Sequence, residues 1–280
     1  MRTISSETIT RTVKSLCIRA NKFLPSDVKL TLDTAMEVEA SPLGQEVLDT
    51  IIKNYHCAQK SNLPLCQDTG MVVVFADIGQ NVHIVGELLE DAVNEGVRQA
   101  YQESFLRDSV VLDPMTRQPS GDNTPAILHT RIVPGNELTL TVIPQGAGGE
   151  NASQVKMFLP TASREEIIRF VLQCVEQSKG VSCPPLVIGM GIGGNLEMCT
   201  TLAKKALCRD LFTYNRKLYY TDLESEILDR VNRLGVGPAG LGGTVTAIAV
   251  NILTYPTHAS CLPVAVALGC HANRHAREVI

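Results

Sequence analysis

The chain has 280 residues, 44% hydrophobic and 19% charged, with a formal net charge of −4 and a pI near 5.9. That length can bury one large core or two smaller ones, and the acidic balance offers no basic footprint for nucleic acid. No apolar run approaches the ~20 residues of a membrane span, and Met1–Lys14, polar and containing Glu7, fits neither a secretory leader nor a transit peptide, so a cytoplasmic protein without membrane or nucleic-acid partners is expected.

Three helical patterns open the chain, at about Ser6–Phe23, Pro25–Glu39 and Pro42–Ser61, each entered near a Ser or Pro start signal. Met71–Ile78 then reads as a strand and Leu88–Leu106 as a helix. Two strands follow at Ala126–Val133 and Glu137–Pro144, and the Pro134-Gly135-Asn136 link predicts a hairpin between them. Next come a helix at Ser163–Gln177, a strand at Pro185–Met190, a helix at Asn195–Cys208 and an amphipathic helix near Asp222–Leu234. The β-rich stretches Gly243–Leu253 and Leu262–Gly269 lead into the C-terminal segment. The expected fold is α+β, with mixed sheets flanked by helices after an N-terminal helical segment. Residues 1–280 read as one functional domain, with subdomains expected at 1–160 and 161–280.

Nine cysteines, with no CxxC pair, argue against a secreted disulfide framework. Several have a packing explanation. Cys174 lies on the Ile167, Phe170, Val171 helix face, Cys199 shares a stripe with Leu196 and Ala203, and Cys17 continues the Ile9, Val13, Leu16 face. Cys57, Cys208 and Cys261 lack any context that speaks for chemistry. Cys66, Cys183 and Cys270 differ, because each sits where a strand-like run meets a loop, in Cys66-Gln67-Asp68-Thr69-Gly70, Ser182-Cys183-Pro184-Pro185 and Gly269-Cys270-His271. Thiolates are soft ligands that suit an iron–sulfur cluster or zinc, and three protein ligands leave one metal position open to substrate.

Gly189-Met190-Gly191-Ile192-Gly193-Gly194 fits the G-x-G-x-x-G of a dinucleotide-binding turn, and Asp210 lies near the place of a ribose-binding acid. An NAD-dependent oxidoreductase is therefore an alternative. The context fails afterwards, since Arg209 and Asp210 interrupt a segment that should be a second apolar strand, so glycines serving close strand–helix approach are the favoured reading. Asp68 lies two residues from Cys66, so in extended chain both point to one side. His258 follows Pro256 in a loop-like stretch, Arg107 ends a helix, and the Gly146–Asn151 loop could present backbone N–H groups to an anion or simply turn the chain.

Together, Pro64–Gly70, Gly121-Asp122-Asn123-Thr124-Pro125, the Gly146–Asn151 loop, Cys183-Pro184-Pro185 with Gly189–Gly194, and Pro256-Thr257-His258 through Gly269-Cys270-His271 resemble the class I, iron–sulfur-dependent fumarases and L-tartrate dehydratases, in their α subunit or N-terminal half. Gln145 and Ala147 depart from that pattern, where Lys and Gly are expected. The resemblance implies a 4Fe-4S cluster held by Cys66, Cys183 and Cys270, with the fourth iron open to a substrate carboxylate and hydroxyl. It further implies that Asp68 and His258 form the acid pair serving the departing hydroxyl, while Arg107 and the amides of Gly146, Gly148 and Gly149 hold carboxylate oxygens. The C–H base and further cations are expected on a β subunit, in an α2β2 assembly. Fumarate hydration is the expected reaction. L-tartrate dehydration is the alternative within the class, and a non-catalytic zinc or cluster carrier is the alternative outside it.

Overall fold

The computed structural model describes residues 1–178 and 180–280. In chain order the elements are β1 (Arg2–Ser5), α1 (Ser6–Lys22), α2 (Ser26–Val38), α3 (Pro42–Ser61), β2 (Met71–Gly79), β3 (Val82–Val85), α4 (Leu89–Glu103), β4 (Ile127–Val133), β5 (Leu138–Gln145), α5 (Ala147–Ala152), β6 (Gln154–Phe158), α6 (Arg164–Ser178), β7 (Leu186–Gly193), α7 (Leu196–Ala206), α8 (Leu218–Asn232), β8 (Ala247–Tyr255), β9 (Leu262–Gly269) and β10 (Ala276–Val279). The fold is α+β, with sheets of mixed direction.

The chain divides into two units that are each discontinuous in sequence. One comprises Met1–Pro25, Tyr55–Ala147 and Arg274–Ile280, and the other Ser26–Asn54 and Gly148–Asn273. A single cut at residue 160 does not describe this division. The terminal strand β10 pairs with β5 and so returns to the first unit, while α2 packs near β8 in the second.

In the first unit a four-stranded sheet of order β10-β5-β2-β4 carries α1 and α4 on one face. The apolar stripe of α1, Ile9, Val13, Leu16, Cys17 and Ala20, is fully buried against Val72, Val74, Leu140 and Val142. Each fully buried aliphatic side chain of this kind contributes about 1.5–3 kcal/mol. Helices α1 and α4 approach so closely that a Cβ on Gly96 would lie 2.7 Å from the Thr10 carbonyl oxygen. The short strands β1 and β3 form a separate parallel pair.

The expected hairpin does not form. β2 lies between the two strands, parallel to β4 (Val73 opposite Ile127) and antiparallel to β5 (Met71 opposite Gln145). The Pro134–Asn136 turn crosses the end of β2 instead, where the Gly79 N–H donates to the Glu137 carbonyl at 2.8 Å and the Asn81 N–H to the Gly135 carbonyl at 2.9 Å. A turn signal reports a reversal of direction; it carries no information about a strand inserted from elsewhere.

In the second unit the sheet order is β6-β9-β7-β8, with β7 parallel to β8 and antiparallel to β9. Every residue of β7 is buried, as a continuous apolar run in a covered central strand requires. Ile168, Val171 and Val175 of α6 and Leu223, Ile227 and Val231 of α8 pack with Ile188 and Met190 in one core. Against β7 lies α7, so close that a Cβ on Gly191 would meet the Cys199 carbonyl oxygen at 1.9 Å and one on Gly189 the Ala203 oxygen at 2.3 Å.

Candidate active site

The register of the first sheet gathers four loops at one end. The segment before β2 (66–70), the segment after β5 (145–147), the segment before β4 (121–126) and the residues before β10 all lie there, because β2 and β4 run one way while β5 runs back and β10 pairs antiparallel with it. Cys66 is half-buried in the first of these loops, anchored by the Leu65 N–H donating to the Asn21 carbonyl at 2.8 Å. Asp68 accepts the Gly70 N–H at 3.1 Å on one carboxylate oxygen and the Ala147 N–H at 2.8 Å on the other. Gly146 sits beside it, and a Cβ there would come within 3.0 Å of the same carboxylate. Gly70 has a positive φ of 72°, and its would-be Cβ lies 2.5 Å from the Gln145 carbonyl oxygen, so only glycine allows the two loops to meet.

Three further residues brace this end, and the sequence reading gave none of them a role. The Tyr101 hydroxyl, buried on α4, bonds the carbonyls of Thr69 and Gly70 at 2.7 and 3.0 Å. Asn123, fully buried at φ 61°, donates to the Gly70 carbonyl at 3.1 Å and accepts the Ser109 N–H at 2.8 Å. The Thr69 hydroxyl donates to the Arg107 carbonyl at 2.5 Å. Arg107 thus has a pinned backbone and an exposed side chain. A positive-φ Asn following Gly-Asp was a usable signal for Asn123; a phenol aimed at two carbonyls from an apolar helix face was not.

In the second unit Cys183 immediately precedes the Pro184-Pro185 lead into β7, and Cys270 immediately follows β9. Val187 pairs with Gly269, so both thiols stand at the same sheet end. The His271 N–H donates to the Cys183 carbonyl at 3.1 Å, and Nδ1 of His271 lies 3.1 Å from the same oxygen, a contact that requires the proton on Nδ1. Cys183 is exposed, with a φ of 54°, and Cys270 is half-buried. Helix α5 precedes β6, which runs antiparallel to β9, and therefore begins at this end too. Gly148 touches the Val181 segment, where a Cβ would meet the carbonyl oxygen at 2.6 Å. The segment holding Gly148 and Gly149 is thus the first turn of a short helix, whose leading N–H groups have no partner within the helix.

His258 is not brought to this end. It lies exposed in the loop joining β8 to β9, and the eight residues of β9 separate it from Cys270 by about 26 Å at a strand's rise of ~3.3 Å per residue. Its Nδ1 accepts the Ser260 N–H at 3.1 Å, which leaves Nε2 as the outward-facing nitrogen.

The glycine motif lies mostly within β7, where Gly189 and Gly191 make room for α7; only Gly193 and Gly194 turn with positive φ. Asn195 caps α7 with its own side chain, accepting the Met198 N–H at 2.8 Å. That arrangement answers to close packing. Burial pushes the thiols of Cys17 and Cys174 up to about 12 and raises that of Cys199, so these three stay protonated fillers of the core, while Cys57 is exposed and Cys208 and Cys261 are half-buried.

The Fumarate hydratase (Fumerase) family profile matches residues 10–279. The chain belongs to this family. Among its relatives is a Methanocaldococcus jannaschii protein whose name assigns it provisionally as an L(+)-tartrate dehydratase subunit alpha, 38% identical over 275 residues that cover 96% of each chain. The L(+)-tartrate dehydratase subunit alpha of Escherichia coli K12 is 28% identical over 269 residues, 95% of this chain and 88% of the relative. The same figures hold for the subunit of that name in Shigella sonnei. Membership makes this a hydro-lyase chain, and the NAD reading of the glycine motif gives way to the packing one.

The donor set suits the soft metal centre expected in a fumarase. Cys66 and Cys270 are half-buried and Cys183 is exposed, in contrast to the buried Cys17, Cys174 and Cys199. Among the described residues no three His, Cys, Asp or Glu side chains converge on a single-ion position.

Proposed function

We propose that this chain is the α subunit of a fumarate hydratase interconverting S-malate with fumarate and water, and that Cys66, Cys183 and Cys270 hold a 4Fe-4S cluster. The observation that carries the reading is the pair of thiols, the exposed Cys183 and the half-buried Cys270, joined through His271 at one sheet end in a chain matched by the Fumerase family over 10–279. Bound there, the cluster would supply Lewis acidity toward a substrate carboxylate and hydroxyl.

The protein's own groups do the rest. Removing water from malate breaks a weakly acidic C–H bond beside a carboxylate and expels hydroxide, so a proton must reach the departing oxygen. Asp68, oriented by two backbone N–H groups, is one half of the proton-delivering pair, and His258, with Nε2 facing outward, is the other. The length of β9 supports a role for His258 in the site of a second α chain, as an α2β2 assembly allows. Arg107 and the N–H groups at Gly146, Gly148 and Gly149 hold carboxylate oxygens. The C–H base and further cations come from a β subunit, a reading supported by the "subunit alpha" names of the relatives. A cysteine set without a CxxC pair and the lack, among the described residues, of any helix long and apolar enough to cross a membrane support the cytoplasm as the compartment.

A second reading, L-tartrate dehydration to oxaloacetate, is favoured by the names of those same relatives. Turnover of fumarate, S-malate and L-tartrate by the chain alone and with its β-type partner tests both. The chain alone should be nearly inactive and the complex should prefer fumarate and S-malate; a preference for L-tartrate selects the second reading, and full activity without a partner overturns the two-subunit account.

A further inference from the structure

Among the described residues, Arg274 is a buried cation without a counter-ion. The residue is 4% exposed, one guanidinium N–H donates to the Asp68 backbone carbonyl, and Nε is buried with no hydrogen-bond partner. No ion pair to Arg274 occurs among the described residues, whereas the other arginine with an unsatisfied buried Nε, Arg209, is held by both oxygens of Glu224 at 2.7 and 2.9 Å. The Asp68 carboxylate does not take that part: its oxygens accept the Gly70 and Ala147 N–H groups. Tyr101 packs near Arg274 but offers no charge, since burial holds its phenol well above the ordinary range. An unpaired buried charge costs several kcal/mol, so a site that keeps one has an anion to receive.

We propose that Arg274 is a positioning residue of the active site, whose guanidinium holds the Asp68 segment by its carbonyl and balances the negative charge that the metal centre and the dicarboxylate bring to the Cys66–Asp68 loop. This rests on the cluster assignment. The anion arrives after folding, and the cation is therefore a liability until it does. The two states of the protein should respond to loss of the charge in opposite directions.

The test compares Arg274→Met and Arg274→Lys in the full chain, cluster-free and anaerobically reconstituted, and in the complex with the β-type partner. In the cluster-free chain Arg274→Met should melt at or above the wild-type temperature. In the reconstituted chain it should release iron to a chelator several-fold faster and shift the reduction potential negative. Arg274→Lys should keep wild-type potential and iron retention while lowering kcat in the complex more than it raises KM, because the charge stays and the guanidinium bond to the Asp68 carbonyl is lost. A Met variant that is destabilised or unfolded without cluster, or that leaves the potential unchanged, makes Arg274 a structural tether and overturns the proposal. Wild-type chain that takes up no iron and sulfide at all fails the cluster assignment first, and the proposal with it.

Discussion

His271 and Cys183 are tied at a single carbonyl, with the backbone N–H and Nδ1 of His271 each 3.1 Å from the Cys183 oxygen across 88 residues of sequence. The bond fixes the loop after β9 against the loop before β7, and therefore fixes the distance between Cys270 and Cys183. Replacing His271 by Ala keeps the backbone bond and removes the side-chain one. The expected result is a folded protein by circular dichroism that loses reconstituted iron to a chelator several-fold faster than wild type.

The far position of His258 predicts complementation between chains. Asp68→Asn and His258→Asn complexes should each lose roughly 10²-fold in kcat with the cluster spectrum intact. Co-expressed in one assembly, they should recover about a quarter of wild-type activity, since half of randomly paired α chains are mixed and each mixed pair carries one intact site under two-fold symmetry. Recovery no greater than either single variant would place both groups of a site on one chain.

Gly191 has no room for a side chain. Gly191→Ala drives a methyl into the Cys199 carbonyl oxygen, 1.9 Å from the ideal Cβ position, and should cost about 3 kcal/mol or more by forcing β7 and α7 apart. Denaturant midpoints measure this. Wild type should show no NAD binding by calorimetry at millimolar nucleotide.

Glu39 offers a pH signature away from the active site. It is 2% exposed, and its carboxylate accepts N–H groups from Ser41 (2.8 Å), Thr244 (2.8 and 3.0 Å) and Val245 (2.7 Å). Burial pushes its pKa up, but the backbone donors of Ser41, Thr244 and Val245 outweigh burial, and the net position is below the ordinary glutamate range. A depressed folded-state pKa contributes stability that is full above the unfolded value of about 4.3 and is lost as pH falls through the lower folded value. Glu39→Gln should therefore cost about 2 kcal/mol at pH 7, with the gap to wild type closing below about pH 4. A gap that persists at low pH would show that shape, not charge, holds the Gly243–Val245 loop.

Local pattern carried much of the fold. The stripe on α1, the boundaries of α3 and β9, and the unbroken apolar run of β7 were all legible because period and burial agree there. Long-range placement was not. Nothing near Pro134–Asn136 says that β2 inserts between β4 and β5, and the four-residue β1 and β3 are too short to show a period. At the candidate site, the loop positions of Cys66, Cys183 and Cys270 could be read from flanking residues. The place of His258 could not, because a spacing of twelve residues from Cys270 looks like proximity until a full strand is found to fill it. Arg274 was invisible for a related reason: a cation four residues past Cys270 reads as surface unless its burial is known.

The most direct test of the central claim is iron and sulfide content after anaerobic reconstitution of five variants. Cys66→Ser, Cys183→Ser and Cys270→Ser should each lose the broad absorption near 400 nm and the about four irons per chain expected of the wild-type centre, while Cys17→Ser and Cys174→Ser, which alter buried protonated thiols, should retain both and lose only thermal stability. Equal loss of iron in the two sets, or stoichiometric zinc in place of iron in the wild type, would contradict the assignment of Cys66, Cys183 and Cys270 as ligands.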